Sequence, residues 1–356
     1  MNPWILRPVL VLCISGSVGL CLSPAVGEEF SWELAGGYSQ QDGTIGVELD
    51  RYTLGVRYYL APVDDTAGPL QLATFLNRSS HVQAGVTGQS QRQRAFEGTA
   101  LRAGAVTGEE SGYEIAARYV WPDSGWFVGG RAERSDSRFT IESQSRELPG
   151  SDQETAELGF GKYILPSTTM ELTLMSIIST SKPEELVCAS MYVCSASIGS
   201  EIVTDDVSLS LRHVGRVAAM AYSLSALGGA SDSRSRGLFP SLATSGGAVA
   251  PAPGLVQELR EYFETYPEPE LPSRQLDAIW GDIFPTRALG IGLGYSRTEL
   301  DVAGAPDTGQ VHVSTRWFIR RNVALNLSVS HRRREGMSGQ RRRETDSLFV
   351  LILGRL

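Results

Sequence analysis

Nowhere in the sequence do about 18 apolar residues run together, the minimum for a helix that crosses a bilayer. The densest stretches, Leu224–Gly229 and Leu348–Leu353, are strand-sized. A helical membrane protein is therefore excluded. Histidine is scarce, and His81, His213, His312 and His331 are scattered without Cys, Asp or a further His at ligand spacing. No metal centre is expected, and no cofactor. No Gly-x-Ser-x-Gly elbow accompanies those histidines, which argues against a hydrolase and against an enzyme in general. Lysine is nearly missing, since only Lys162 and Lys182 occur among 32 basic residues, and the formal charge is −8. An acidic chain of this kind has no electrostatic footprint for a nucleic acid.

Residues 1–27 read as a secretory signal. Arg7 supplies a short positive start, Val9–Leu22 an apolar core broken by small residues, and Pro24, Ala25, Val26 and Gly27 a cleavage site before Glu28. The remainder, 28–356, keeps Cys188 and Cys194, with five residues between them. In an exported protein such a pair suggests a disulfide that pins a loop, two free thiols being the alternative.

What is present from end to end is a period of two. Tyr52, Leu54, Val56, Tyr58 and Leu60 alternate with Thr53, Gly55, Arg57 and Tyr59. Tyr113, Ile115, Ala117, Tyr119 and Trp121 stand opposite Glu114, Ala116 and Arg118. Leu289, Ile291, Leu293 and Tyr295 alternate with Gly290, Gly292, Gly294 and Ser296, and Val311, Val313, Thr315 and Trp317 with His312, Ser314 and Arg316. This is the strand signature. The triple glycine row opens no helix, so it is not a dinucleotide loop; it lets the wall approach something bulky inside.

Alternation alone fits a soluble sandwich as well as a membrane barrel. Three features select the barrel. The delimitable strands run about 9–13 residues, enough to cross a bilayer at a tilt. Aromatics collect before short turns, as in Tyr58 and Tyr59, Tyr119 and Trp121, Tyr163, Trp280 and Phe284, and Trp317 and Phe318, the pattern of an interfacial girdle. Tight connections at Trp121–Gly125, Leu165–Thr169, His213–Arg216, Phe284–Arg287 and Ile319–Asn322 alternate with longer ones at 40–46, 90–108, 136–152 and 181–203. Counting turns gives about 14 strands, within 12–16, in an antiparallel up-and-down transmembrane barrel with both ends periplasmic. Two segments stand out. Residues 61–78 suggest a short helix on the periplasmic end. Residues 228–273 suggest a long insertion with a helical piece at Leu255–Tyr266, either plugging the lumen or projecting outward.

The stretch Arg57-Tyr-Tyr-Leu-Ala-Pro-Val-Asp-Asp-Thr-Ala-Gly-Pro-Leu, followed by Ala73-Thr-Phe-Leu-Asn-Arg-Ser-Ser, resembles a block of the general porins of Gram-negative bacteria. It covers about 22 of the 356 positions. Trp280-Gly-Asp-Ile-Phe-Pro-Thr-Arg ahead of Leu289-Gly-Ile-Gly-Leu-Gly-Tyr agrees in style only. The resemblance implies an outer-membrane barrel that passes small hydrophilic solutes, and no catalytic motif comes with it. Such barrels usually end in an aromatic residue that the barrel-assembly machinery reads, whereas this chain ends in Gly354-Arg355-Leu356.

If the apolar face of each strand meets lipid, the lumen is lined by Glu33, Arg57, Glu114, Arg118, Arg131, Glu133, Glu157, Arg212, His312 and Arg316. Opposed arginines and carboxylates would then set a transverse field across the pore, or simply pair and hydrate its wall. Arg332, Arg333 and Arg334, then Arg341, Arg342 and Arg343, flank the last extracellular tip and suit the phosphates of lipopolysaccharide; a solvated loop is the alternative. Expected partners are thus outer-membrane lipid and lipopolysaccharide, small hydrophilic solutes, the assembly machinery and possible further copies of the chain. A plugged structural or adhesive barrel with a ligand-binding loop is the rival reading.

Overall fold

A computed structural model describes residues 29–43, 47–66, 68–93, 106–141, 146–181, 187–190, 193–195, 199–238, 270–300, 307–334 and 343–356. The signal segment 1–27 and the helical piece at Leu255–Tyr266 lie outside the described residues. The chain is a succession of long strands. They are β1 (Glu29–Gly43), β2 (Val47–Asp64), β3 (His81–Gln93), β4 (Val106–Val120), β5 (Trp126–Ile141), β6 (Arg146–Leu165) and β7 (Thr168–Ser181), then β10 (Gly199–Val217) to β16 (Arg343–Arg355). Between β10 and β16 come β11 (Met220–Leu238), β12 (Glu270–Phe284), β13 (Leu289–Leu300), β14 (Thr308–Arg320) and β15 (Val323–Arg334). A separate hairpin, β8 (Val187–Ser190) with β9 (Val193–Ser195), sits in the β7–β10 connection.

Apart from that hairpin, every strand pairs antiparallel with its sequence neighbour, and β1 closes on β16, giving a 14-stranded barrel without edges. Closure is continued past the ladder, where Ser31 and Trp32 donate to the Leu356 carbonyl at 2.8 and 3.0 Å. Barrel strands are 12 to 20 residues long, longer than the sequence pattern delimits. The excess lies at the ends away from the short turns, so connections read as loops shrink: β1 and β2 extend until only 44–46 separates them. The 228–273 segment shortens likewise, because β11 and β12 take up 228–238 and 270–273.

One turn is displaced. The sequence places it at His213–Arg216, but β10 runs on to Val217 and the chain reverses at residues 218 and 219. Gly215 is the misleading signal. It is a strand residue whose missing side chain makes room for a ring: a Cβ there would run into the Tyr222 side chain.

The period of two divides the wall as expected. Leu54, Ile115 and Leu293 are among the most exposed side chains, at 64%, 63% and 62%. With Val86, Leu158, Phe160, Leu209, Ile279 and Val329 they make an apolar outer surface. An exposed apolar area on this scale costs too much in water and fits hydrocarbon. The run Leu348–Leu353 faces both ways: register pairs Leu348, Val350 and Ile352 with outward Val329, Leu327 and Leu325, which turns Phe349, Leu351 and Leu353 inward.

Candidate functional site

The connection between β2 and β3 does not simply turn. It folds back into the mouth at the short-turn end of the barrel as a 3-10 turn, Leu70–Leu72, and a single helical turn, α1 (Ala73–Leu76), burying Leu70, Leu72, Ala73 and Phe75. So short a helix has little stability of its own and is held by what it packs on. Leu72 and Phe75 join Val120, Phe127, Tyr163, Val214, Ala221 and Phe284 in one cluster, which draws on β4, β5, β6, β10, β11 and β12. Leu70 packs with Phe318 and Ala324, with Leu353 beside them. On the β1–β2 side, Phe30, Tyr59 and Val63 enclose Ala73. The segment therefore touches the wall on all sides of the mouth.

This corrects the aromatic girdle. Tyr58, Tyr119, Trp121 and Trp317 are exposed on the outer face, but Tyr59, Tyr163, Phe284 and Phe318 are buried inside. Adjacent strand residues point to opposite faces, so Tyr58–Tyr59 and Trp317–Phe318 cannot both meet lipid. The inward member of each pair seats the plug.

Polar bonds fasten the segment to distant turns. Asp65, 4% exposed, takes Arg321 in a two-nitrogen ion pair, with Nε at 2.8 Å, and Arg287 at 3.3 Å. Arg287 also donates to the Gly68 carbonyl at 3.1 Å, and Leu70 donates its amide to the Arg287 carbonyl at 3.0 Å. Gln71 Nε2 reaches the Arg316 carbonyl at 2.9 Å, and Arg355 donates to the Leu70 carbonyl at 3.0 Å. Arg212 lies over the Phe75 ring, 4.8 Å from its centre.

Above the plug the lumen is charged. All ten positions singled out from the sequence face inward by strand register, and several of them meet. Glu33 is central: Arg355 Nε donates to Oε1 at 2.9 Å, while the Tyr59 hydroxyl at 2.5 Å and Arg57 at 3.3 Å share Oε2. Arg57 continues to Gln83 at 3.0 Å, and Gln83 donates to Glu114 at 2.7 Å. Arg131 bridges Glu114 at 2.8 Å and Glu133 at 2.6 Å. Arg118 lies 3.7 Å from Glu171 and 3.8 Å from the centre of the Phe127 ring. Glu157 stands beside Arg131 in the register. His312 is 3.4 Å from Ser328, and among the described residues Arg316 has no side-chain ion pair within 4 Å. A cavity of 390 Å³, bordered by Glu33, Arg57, Glu114, Arg131, Arg316 and Arg355, opens directly over Gln71 and Thr74 of the plug.

The charges are sorted around the ring. Strands β4 to β7 carry Glu110, Glu114, Glu133, Glu157 and Glu171 against Arg118 and Arg131. Above the plug the remaining wall carries Arg51, Arg57, Arg212, Arg274, Arg316, Arg332, Arg334 and Arg355 against Glu33, Asp206 and Asp282. A lumen so divided has a field across it as well as paired charge. Glu171, Asp282 and Arg355 were missed in the sequence. Glu171 and Asp282 were readable, since each alternates against outward neighbours, Met170 and Leu172 for one and Ile283 for the other. Arg355 was masked by the apolar run before it.

The other expected positions are less gathered. Arg332, Arg333 and Arg334 are exposed at the outer end of β15, but three consecutive strand residues alternate faces. Arg332 turns to the lumen side, where it donates to Gln310 at 3.0 Å, and Arg333 to the outside. Arg343 stands opposite Arg334 in the register; Arg341 and Arg342 lie outside the described residues. Cys188 and Cys194 are register partners across the β8–β9 hairpin. The four histidines sit on β3, β10, β14 and β15, and among the described residues no three His, Cys, Asp or Glu gather to hold a metal ion.

The architecture has solved counterparts. CymD, a monoaromatic hydrocarbon channel, superposes with a TM-score of 0.54 at 6% identity over 92% of this chain and 89% of that one. The toluene transporter TbuX of Ralstonia pickettii gives 0.53 at 9% identity, over 93% and 90%. A deletion mutant of the monoaromatic hydrocarbon channel TodX gives 0.50 at 8% identity, over 93% and 91%. The fold is shared with these β-barrels. At these identities the likeness is one of fold alone. No family profile matches the sequence, and no curated protein matches it.

Proposed function

We propose that this chain is a channel of the Gram-negative outer membrane, exported by its N-terminal signal, through which small hydrophilic solutes diffuse passively. The observation that carries the reading is the charged inner wall. A ring of arginines and carboxylates around a cavity is tolerable only where water or a polar solute solvates it, because isolated charge in an apolar interior costs several kcal/mol. About eight strands close on their own side chains, whereas fourteen leave a lumen wider than side chains fill. The barrels of like fold are named as channels for hydrocarbons; the wall here, rich in arginine and glutamate, favours hydrophilic cargo instead. The role is passage rather than catalysis. Segment 65–79 packs on the wall inside the mouth, and its contacts favour a second reading, a plugged structural or adhesive barrel with an extracellular ligand-binding loop.

Planar-bilayer recording on the refolded protein separates the two. The channel reading expects discrete ohmic steps from the wild-type barrel. The plugged reading expects silence until the Asp65 latch is broken. At the outer rim, Arg333, the outward member of 332–334, is proposed to hold a lipopolysaccharide phosphate together with the arginines of 341–343, and Cys188 and Cys194 are proposed to form a disulfide.

A further inference from the structure

The glycines that alternate along β13 are not explained by passage alone. Gly290 lies under the plug, where a Cβ would stand 2.8 Å from Gln71 Nε2 and 2.9 Å from the Phe284 ring. Gly292 and Gly294 lie farther along the same lumen face. Register sets Gly292 between Asp282 of β12 and Ser314 of β14, and Gly294 between Trp280 and His312. Two rows result, carboxylate, gap, hydroxyl and, beside it, indole, gap, imidazole. With no side chain in the middle column, the wall is dished into a depression of 330 Å³, rimmed on the far side by Ser296 and Gln310.

The groups around this dish are aimed. Asp282 Oδ2 accepts the Ser223 hydroxyl at 2.8 Å, which fixes the carboxylate. Its Oδ1 leans over Gly292 from one side and Ser314 Oγ from the other, each 2.5 Å from where a Cβ would be. Trp280, at 38% exposure, offers a ring to the lumen. Trp32, Trp126 and Trp317 lie on the outer face, so among the described strand tryptophans Trp280 alone is turned inward.

We propose that this depression is a subsite for a cyclic sugar of the pyranose type. It rests on the channel reading for its purpose and deepens it by naming the solute class. The C–H face of a six-membered sugar ring lies on the Trp280 indole, an amphipathic surface suited to it. Hydroxyls of the ring donate to Asp282 and exchange hydrogen bonds with Ser314 and His312. A hydrocarbon would leave those three polar groups without partners, which a hydrogen-bonding site penalises heavily. A simple inorganic anion would meet the Asp282 carboxylate and gain nothing from the indole. A volume of 330 Å³ stands at the small end of ligand pockets, suited to a single ring.

Saturation-transfer NMR on the refolded barrel in detergent tests this with D-glucose, D-galactose and D-mannose, against sorbitol and toluene. At least one aldohexose is expected to bind saturably, with sorbitol, which has the hydroxyls but no ring face, about tenfold weaker or more. Trp280→Ala and Asp282→Asn are each expected to weaken that sugar about tenfold, while Trp280→Phe retains most of the binding. Heat-modifiable migration confirms that each variant is folded; should Trp280→Ala fail that check, Asp282→Asn and Ser314→Ala decide. The inference is overturned if no aldohexose binds, if sorbitol binds as well, or if the folded variants bind like wild type. Binding in detergent needs no open pore. Sugar binding without conductance therefore removes the channel reading and leaves the subsite, and conductance without sugar binding does the reverse.

Discussion

At its short-turn end the barrel interior is packed like a protein core, whereas a few residues farther along the same strands it is lined by ion pairs and cavities. Tyr59 is almost fully buried beside Ala73, and Phe127 and Phe284 around Leu72 and Phe75. On the same inward faces, two residues away, stand Arg57, Gly129 and Asp282. The strands and their alternation do not change between the two levels. What changes is the presence of a segment to pack on. Where 65–79 enters, apolar inward residues are stable because they have a partner; above it the inner face turns largely to groups that water solvates, with Phe349, Leu351 and Trp280 among the apolar exceptions.

Glu33 sits at the junction and its loss is expected to have the largest effect. Glu33→Ala strands Arg355, which is 4% exposed, and removing one partner of a buried pair costs about 3–5 kcal/mol. Urea unfolding in detergent micelles reads this as a lowered midpoint. An unchanged midpoint would mean that the junction is wetter than its burial implies.

Asp65→Asn acts on the packed level alone. Its partners Arg287 and Arg321 are nearly half exposed on their side chains, 49% and 41%, so the loss is expected to be about 1–3 kcal/mol. Because the latch holds the segment and not the wall, mean conductance should rise while the barrel stays folded. A fall in stability with no change in conductance would break the link between the segment and the pore.

Converting Arg57, Arg118 and Arg316 together to alanine acts on the charged level. It leaves Glu114, Glu133, Glu157 and Glu171 in excess, and reversal potentials across a salt gradient should shift toward cation selectivity. Unaltered selectivity would place the arginines outside the conducting path. The smallest effect concerns neither level: mass spectrometry of unreduced protein should find Cys188 and Cys194 joined, and reduction should leave conductance as it was.

The same comparison shows what the sequence reveals and what it hides. Strands such as β13 and β14 were legible because alternation is a local property; Leu293 and Ser314 could be assigned to opposite faces by counting. The closed ring of fourteen followed from the turns, even with one misplaced, because Gly215 looks like a reversal and is instead a gap for Tyr222. The inward facing of those ten positions was legible for the same reason. A short helix within 61–78 at that end of the barrel was legible too; that it enters the mouth, and what it meets there, was not. That Phe75 meets Tyr163 and Asp65 meets Arg321 depends on pairs far apart in the chain, and nothing within 65–79 announces them. The paired aromatics carried a hint, since Tyr58–Tyr59 and Trp317–Phe318 must each send one ring inside, and a ring inside needs something to cover it.

Single cysteines offer the most direct trial of the inside-out wall. With Cys188 and Cys194 replaced by serine, cysteine at 53, 131 or 314 should react with a charged, membrane-impermeant maleimide in reconstituted vesicles. Cysteine at 86, 279 or 293 should react only with a probe dissolved in the bilayer. The opposite pattern, with aqueous reagent reaching 279 and 293 and sparing 131 and 314, would contradict a watery lumen and the transport it serves.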